Sequence, residues 1–322
     1  MTPEEKALLL QYDHCGFLPS PGMSFADFQQ QVSTILQVHQ NFDRQLEENG
    51  EADIFNVAVV HPEERIDRSL LDEVAEHTGK LYGFAVRHVP GFYLTRAVGL
   101  LWGGCMLSDP DENFSVLLLR NAFKKHRRFL NYTRDELLAH ELCHSVRQSL
   151  CEYSLEEYFA YRTSSSPVRR YLGNCFIRDT DALFFVIPML FLPAAELLKG
   201  FCFPGFPVWI FWLAAMIYPL FLLIRNALSR RIVNRARKAL KSCAVRQVEA
   251  VLFRSTLEEL KQLPAFTGAP EKFRAWAEER AASDLRWQII LARFTGEDEL
   301  AQEFQLNENT ISEKDLTSHE NC

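Results

Sequence analysis

No CxxC pair occurs in this chain, and its 8 cysteines fall at irregular intervals. The opening residues, MTPEEKALLLQYDH, carry early acids and lack both a basic n-region and a long apolar stretch, so a cleavable signal peptide is not expected. Scattered cysteines without an export signal suggest a reducing cytosol for the soluble parts. Basic residues are not in excess: 35 Lys and Arg stand against 42 Asp and Glu, a formal net charge of −7. A nucleic-acid partner is therefore not expected, because such proteins usually present a basic face. No internal repeat is visible. The glycine-rich stretch GLLWGG is no phosphate loop, since it lacks Lys-Ser/Thr and a following helix signal.

What the chain does have is apolar residues, 48% of 322, enough for a sizeable core and one or two domains. The breakers LPSPG precede Ser24, an N-cap for an amphipathic helix over 25–48 with Phe25, Phe28, Val32, Ile35, Leu36, His39, Phe42 and Leu46 at helical spacing. EADIFNVAVVHP predicts a strand, and PEERIDRSLLDEVAEHTGK a helix closed by Gly79. LYGFAVRHV, GLLWGGCMLS and FSVLLLR predict further strands, the last two joined by the turn DPDEN. YTRDELLAHELCHSVRQSL predicts a helix with Thr133 as N-cap and Glu136 at N3, the pattern of a capping box.

From Asp181 the character changes. Ala182–Leu198 is apolar apart from Glu196, KGFCFPGFP turns, and Val208–Ile224 is apolar throughout. Each run approaches the roughly 17–25 residues of a spanning helix, and lipid-embedded helices tolerate prolines such as Pro188, Pro193 and Pro219. A buried hairpin in a soluble core is the alternative. Arg162, Arg169, Arg170 and Arg178 precede the hairpin, and Arg225, Arg230, Arg231, Arg235, Arg237, Lys238 and Lys241 follow it. The turn has one Lys. The positive-inside rule then predicts a two-helix, multi-pass membrane protein with both flanks and both termini cytoplasmic. The expected organisation is an N-terminal helical region (1–49), an α+β domain (50–178), the transmembrane hairpin (181–224), a basic then helical cytoplasmic region (225–303) and a polar, disordered tail (304–322).

The stretch that carries chemistry is ELLAHELCHSVRQSLCEYSLEEYFAY, from Glu136 to Tyr161. His140 and His144 are one helical turn apart, so both imidazoles share a face and can share one metal. Glu141 is offset by about 100°, able to reach a water at the metal without being a ligand. Leu138, Leu142 and Val146 lie nearly opposite and pack. Zinc needs a third protein ligand and an open position. The candidates are Glu152, Glu156, Glu157, Cys143 and Cys151. Cys143 reaches a metal between the histidines only if the helix distorts, and it reads as a core thiol. If CEYS turns and Ser154 caps a returning helix, His144 lies about 7–8 Å before the turn and Glu157 about 4–5 Å after it, at 1.5 Å rise per residue. A carboxylate bridges that difference.

DELLAHELCH followed by EEYFAY resembles the gluzincin metallopeptidases, in which a second helix carries the third ligand within Asn-Glu-x-x-x or Asn-Glu-Gly-Phe-Ala. The likeness spans roughly residues 113–165. It implies a zincin-like catalytic domain and assigns the third-ligand role to Glu157, with Glu156 supporting the site. Two departures stand out: the gap from His144 to Glu157 is shorter than in the thermolysin and aminopeptidase branches, and Glu replaces Asn before the ligand. Integral-membrane zinc peptidases that place a hairpin after HExxH offer a second comparison. Their third ligand lies beyond the hairpin in Glu-x-x-Ala-Asp. Here RQVEAVLF supplies Glu249 without the Asp, which favours Glu157.

The resemblance implies a membrane-anchored zinc-dependent peptidase. His140, His144 and Glu157 would hold Zn²⁺, and Glu141 would act as general base on a water that the metal activates against a peptide or protein substrate. Tyr161, Arg162 and Tyr153 are the nearby oxyanion donors, with Tyr161 the catalytic candidate. FSVLLLR is either an edge strand that pairs with an extended substrate or a buried central strand. The competing expectation is a hairpin-anchored membrane scaffold with a non-catalytic HExxH.

Overall fold

The computed structural model describes residues 1–94, 102–109, 113–129 and 132–295. Thr2 and Glu5 form a reciprocal capping box that starts α1 (Pro3–His14). Ser24 caps α2 (Phe25–Asn49), its hydroxyl accepting the Asp27 amide at 3.2 Å, and Gly50 closes it at φ 72°. The single strand expected over EADIFNVAVVHP is a hairpin, β1 (Ala52–Ile54) and β2 (Ala58–Val60). Phe55 and Asn56 take positive φ, and the Asp53 carboxylate accepts the Asn56 amide at 2.8 Å, so the side chain builds the turn.

Helix α3 (Arg68–Tyr82) runs through Gly79 and ends at Gly83, the residue with positive φ (76°). The strand expected over LYGFAVRHV therefore does not form. Its apolar residues are buried as irregular chain, with the Phe84 ring 6.1 Å from that of Tyr82 and 5.1 Å from that of Phe253. Strand β3 follows at Gly91–Leu94, then β4 (Gly104–Asp109) and β5 (Phe114–Arg120). FSVLLLR is the central strand, parallel to β3 and antiparallel to β4, so it cannot offer an edge to a substrate. Both its faces are apolar. Phe114, Val116 and Leu118 pack with Phe42 and Leu46 of α2, while Leu117 and Leu119 belong to the main core on the other side. The start of GLLWGGCMLS and the middle of the DPDEN turn lie outside the described residues.

A short helix α4 (Ala122–Lys125) and the two-residue strands β6 (Arg128–Phe129) and β7 (Tyr132–Thr133) lead into α5 (Arg134–Arg147). Thr133 is its N-cap, but the hydroxyl does not cap and the expected box is absent: Glu136 is turned to Ser164 and Ser165 instead. Helix α6 (Tyr153–Ala160) returns along α5, and α7 (Pro167–Leu172) follows. Ser154 lies within the first turn of α6 rather than capping it, since Glu152 holds that position.

Two long helices come next, α8 (Asp179–Phe201) and α9 (Trp209–Ser242). Both are long and apolar enough to cross a membrane, and only 17% of the apolar window of each is buried within the protein. A hairpin buried in a soluble core would hide these faces. At its root Asp181 accepts from Arg225 at 2.5 Å and from Tyr218 at 2.7 Å. Helix α9 continues through the basic run as one helix, well past Ile224.

Within the helical region expected up to residue 303, the described residues after α9 form four short helices: α10 (Val248–Arg254), α11 (Leu257–Gln262), α12 (Pro270–Ala281) and α13 (Leu285–Phe294). They do not stand apart from residues 1–178. Ala250–Phe253, Trp287, Ile289 and Ile290 share one core with Leu9, Val74, Leu142 and Phe159. Buried Arg254 grips both oxygens of buried Asp13 at 2.8 and 2.9 Å, tying α10 to α1 across 241 positions of sequence. The tail 304–322 lies outside the described residues.

Candidate metal centre

Antiparallel α5 and α6 bring His140, His144 and Glu157 together, with one ligand atom from each lying within 4.8 Å of the others. The two Nε2 atoms are 3.2 Å apart, and Glu157 lies 3.6 Å from His140 Nε2 and 3.5 Å from His144 Nε2. Zinc bonds of about 2.0–2.1 Å in a tetrahedron put ligand atoms roughly 3.3 Å apart. The two Glu157 contacts use different oxygens, Oε2 toward His140 and Oε1 toward His144, and each lies near that edge, so the donor set fits a zinc ion. Leu138, Leu142, Cys143 and Val146 bury the opposite side of α5 and fix its rotation. The Cys143 thiol is buried in that core, where burial pushes its pKa well up, and it is not part of the cluster.

Glu156 and Glu157 are adjacent in sequence and differ in role. Glu156 lies 3.6 Å from His144 Nδ1, the nitrogen not turned to the cluster. Its other oxygen accepts from Arg147 Nε at 3.0 Å. Arg147 is fully buried, donates to the Phe253 carbonyl and lies over the Phe159 ring at 4.4 Å. A chain of contacts thus runs from α10 through Arg147 and Glu156 to His144, and it orients the imidazole from behind. Glu249, the alternative ligand beyond the hairpin, is held by Arg237 at 2.6 and 3.0 Å and is not drawn into the cluster.

Glu141 sits beside the cluster, where Met106 of edge strand β4 donates its amide to the carboxylate at 3.0 Å. Burial raises the Glu141 pKa to about 7, against the lowering effect of His144 and of that amide. A carboxylate poised near neutrality can both accept and return a proton. Burial, followed by the neighbouring His144, lowers His140 to about 3 and keeps the ring neutral, the form that binds metal. Burial also works against charge on His144, but Glu156, Glu157 and Glu141 outweigh it and raise its pKa.

Tyr161 packs edge-on against His140, with centroids 4.5 Å apart, and lines a cavity of about 250 Å³ beside His140 and Glu141. Its ring also fits closely over Gly173, where any Cβ would collide with it. The other two oxyanion candidates are elsewhere: Tyr153 is 78% exposed, and Arg162 faces Glu249 at 3.5 Å. Sequence reasoning missed the Met106 amide and Arg147, which carry no motif. It also counted Arg169, a wall of this cavity, among the charges flanking the membrane. Comparison with protein families, with curated proteins and with solved structures finds no match to this chain.

Proposed function

We propose that this chain is a zinc-dependent peptidase, with a zincin-like catalytic part held at a membrane by α8 and α9. The observation that carries the reading is the convergence of His140, His144 and Glu157 within 4.8 Å of one another, with Glu141 fixed beside them by the Met106 amide. An accidental HExxH in a scaffold gives no reason for two imidazoles and a carboxylate to converge while a second carboxylate and a buried arginine brace one ring.

A bound zinc supplies Lewis acidity at the scissile carbonyl and lowers the pKa of water. Glu141 takes the proton of the attacking water and delivers it to the leaving amine. Tyr161, whose hydroxyl burial raises to about 12, stays protonated and donates to the developing oxyanion. β4, not β5, presents the sheet edge beside the site, so an extended peptide would lie along β4. The basic residues on both sides of the hairpin favour a cytoplasmic metal site and cytoplasmic termini.

The test uses full-length protein in detergent, loaded with zinc and offered a mixed peptide library. The expected outcome is that Glu141→Gln keeps its zinc and loses about 10²–10⁴-fold in turnover. Undiminished cleavage in that variant would refute the reading.

A further inference from the structure

The cavity of about 250 Å³ beside the cluster is bounded by Trp102, Gly104, Leu137 and Tyr161, and by Arg169 and Tyr132. Arg169 is the one cation among the residues lining it. Its side chain is 15% exposed, and its guanidinium lies over the Tyr132 ring at 4.3 Å. Its nearest anion is Glu136, at 3.5 Å from Nη1, the limit of a hydrogen bond. Nη2 is buried with no hydrogen-bond partner among the described residues. Glu136 is engaged elsewhere: it accepts the Ser165 amide at 2.9 Å and the Ser164 hydroxyl at 3.1 Å, along with the Ser165 hydroxyl.

Buried Arg147 also keeps an Nη2 without a hydrogen-bond partner among the described residues, but it is held by Glu156 and the Phe253 carbonyl, and two other sheltered arginines each hold a carboxylate at both oxygens. Arg254 holds both oxygens of Asp13, and Arg237 holds both oxygens of Glu249. A sheltered guanidinium left with one long contact is costly, and its planar fork matches a carboxylate in bidentate fashion. The cavity adjoins His140 and Glu141, so a group placed in it belongs to the same bound molecule as the reacting bond.

We propose that this cavity is a carboxylate-recognition subsite and that Arg169 is its specificity-determining residue. The inference rests on the peptidase reading. A carboxylate beside a scissile peptide bond has two sources, an Asp or Glu side chain or the free C-terminus of the substrate. Arg169 pairs with it through its guanidinium, Tyr132 supports that group from behind, and Leu137 and Trp102 contact the aliphatic part of the substrate.

The experiment measures Kd by calorimetry on full-length, zinc-loaded protein in detergent with three dipeptide hydroxamates. One carries a Glu side chain and an amidated end, the second Gln and a free carboxylate end, and the third Gln and an amidated end. The expected result is that one of the two acids binds about 100-fold tighter than the doubly neutral compound. Which acid it is identifies the source. In Arg169→Gln, checked for retained zinc, that gap closes while the neutral compound binds as before, and Arg169→Lys falls between. Equal binding of all three by the wild-type protein would overturn the inference and leave the peptidase reading standing. The same holds if the gap persists in Arg169→Gln. If the zinc-loaded protein binds no hydroxamate, the peptidase reading itself fails and the subsite falls with it.

Discussion

Two helix pairs in this protein are each joined by a short turn and have opposite insides. In α5–α6 the polar groups face one another, and Leu138, Leu142, Leu155 and Phe159 are buried outward in the core. In α8–α9 the outward faces are apolar and exposed, with Leu190, Phe191, Leu213 and Ile217 each more than half accessible. The first pair brings together a group that could hold a metal because its surroundings are protein, which can orient a donor. The second pair leaves apolar faces exposed on helices long enough to cross a membrane, as the proposed anchoring in lipid requires.

The comparison can be broken from either side. The largest effect is expected at α5: His140→Ala should lower bound zinc from about one per chain to near none, read as metal content of the purified protein. Almost as large is the effect of cutting α8 and α9 short. Replacing residues 183–222 by a short flexible linker, so that Asp181 and Arg225 remain, should give a chain that stays in solution without detergent and still binds zinc. Zinc binding lost with the hairpin would mean that the two pairs are not independent. Next comes Glu156→Gln, which removes the brace on His144 without touching a ligand and should weaken zinc binding by about 10–100-fold in a chelator competition. An unchanged affinity would make the Arg147–Glu156–His144 contacts merely structural.

The smallest effect is on acid stability, away from the site. Burial, followed by the neighbouring His39, lowers the His88 pKa to about 3; burial, followed by Arg293, lowers His14 to about 4. In the unfolded chain both titrate near ~6.5. Between these values the unfolded chain binds more protons, so the stability from neutral His88 and His14 is complete above about pH 6.5. It is lost as the pH falls toward 4 and then 3, by about 1 kcal/mol for each at pH 5 once partial exposure is allowed for. Thermal melting of wild type and His88→Leu at pH 7 and pH 5 checks this: the variant should lose less on acidification.

The sequence made the site more legible than the frame that holds it. HExxH at helical spacing is a local pattern, and Glu157 follows after one short turn of chain, so short-range geometry brings the three candidate ligands together. The apolar runs of α8 and α9 were legible for the same reason. What could not be read were long-range events. LYGFAVRHV has the composition of a strand, but Gly83 ends a helix inside it and the Phe253 ring of α10 packs against its Tyr82 and Phe84. FSVLLLR was recognisable as a strand, but its central place depends on partners on both sides. The Arg254–Asp13 ion pair and the Arg147 bond to the Phe253 carbonyl fuse the segments before and after the hairpin, and no periodicity announces them. They also make residues 1–178 an unsuitable fragment for metal binding, because Arg147 would lose the Phe253 carbonyl and the core would lose α10 and α13.

The central claim is that His140, His144 and Glu157 hold a zinc ion. X-ray absorption at the zinc edge on the full-length, zinc-loaded protein is its most direct test. The expected spectrum shows a shell of nitrogen and oxygen at about 2.0–2.1 Å with the outer-shell signature of two imidazoles, and Glu157→Gln but not Glu249→Gln perturbs it. A sulfur neighbour at about 2.3 Å, or a folded protein that takes up no zinc, would contradict it.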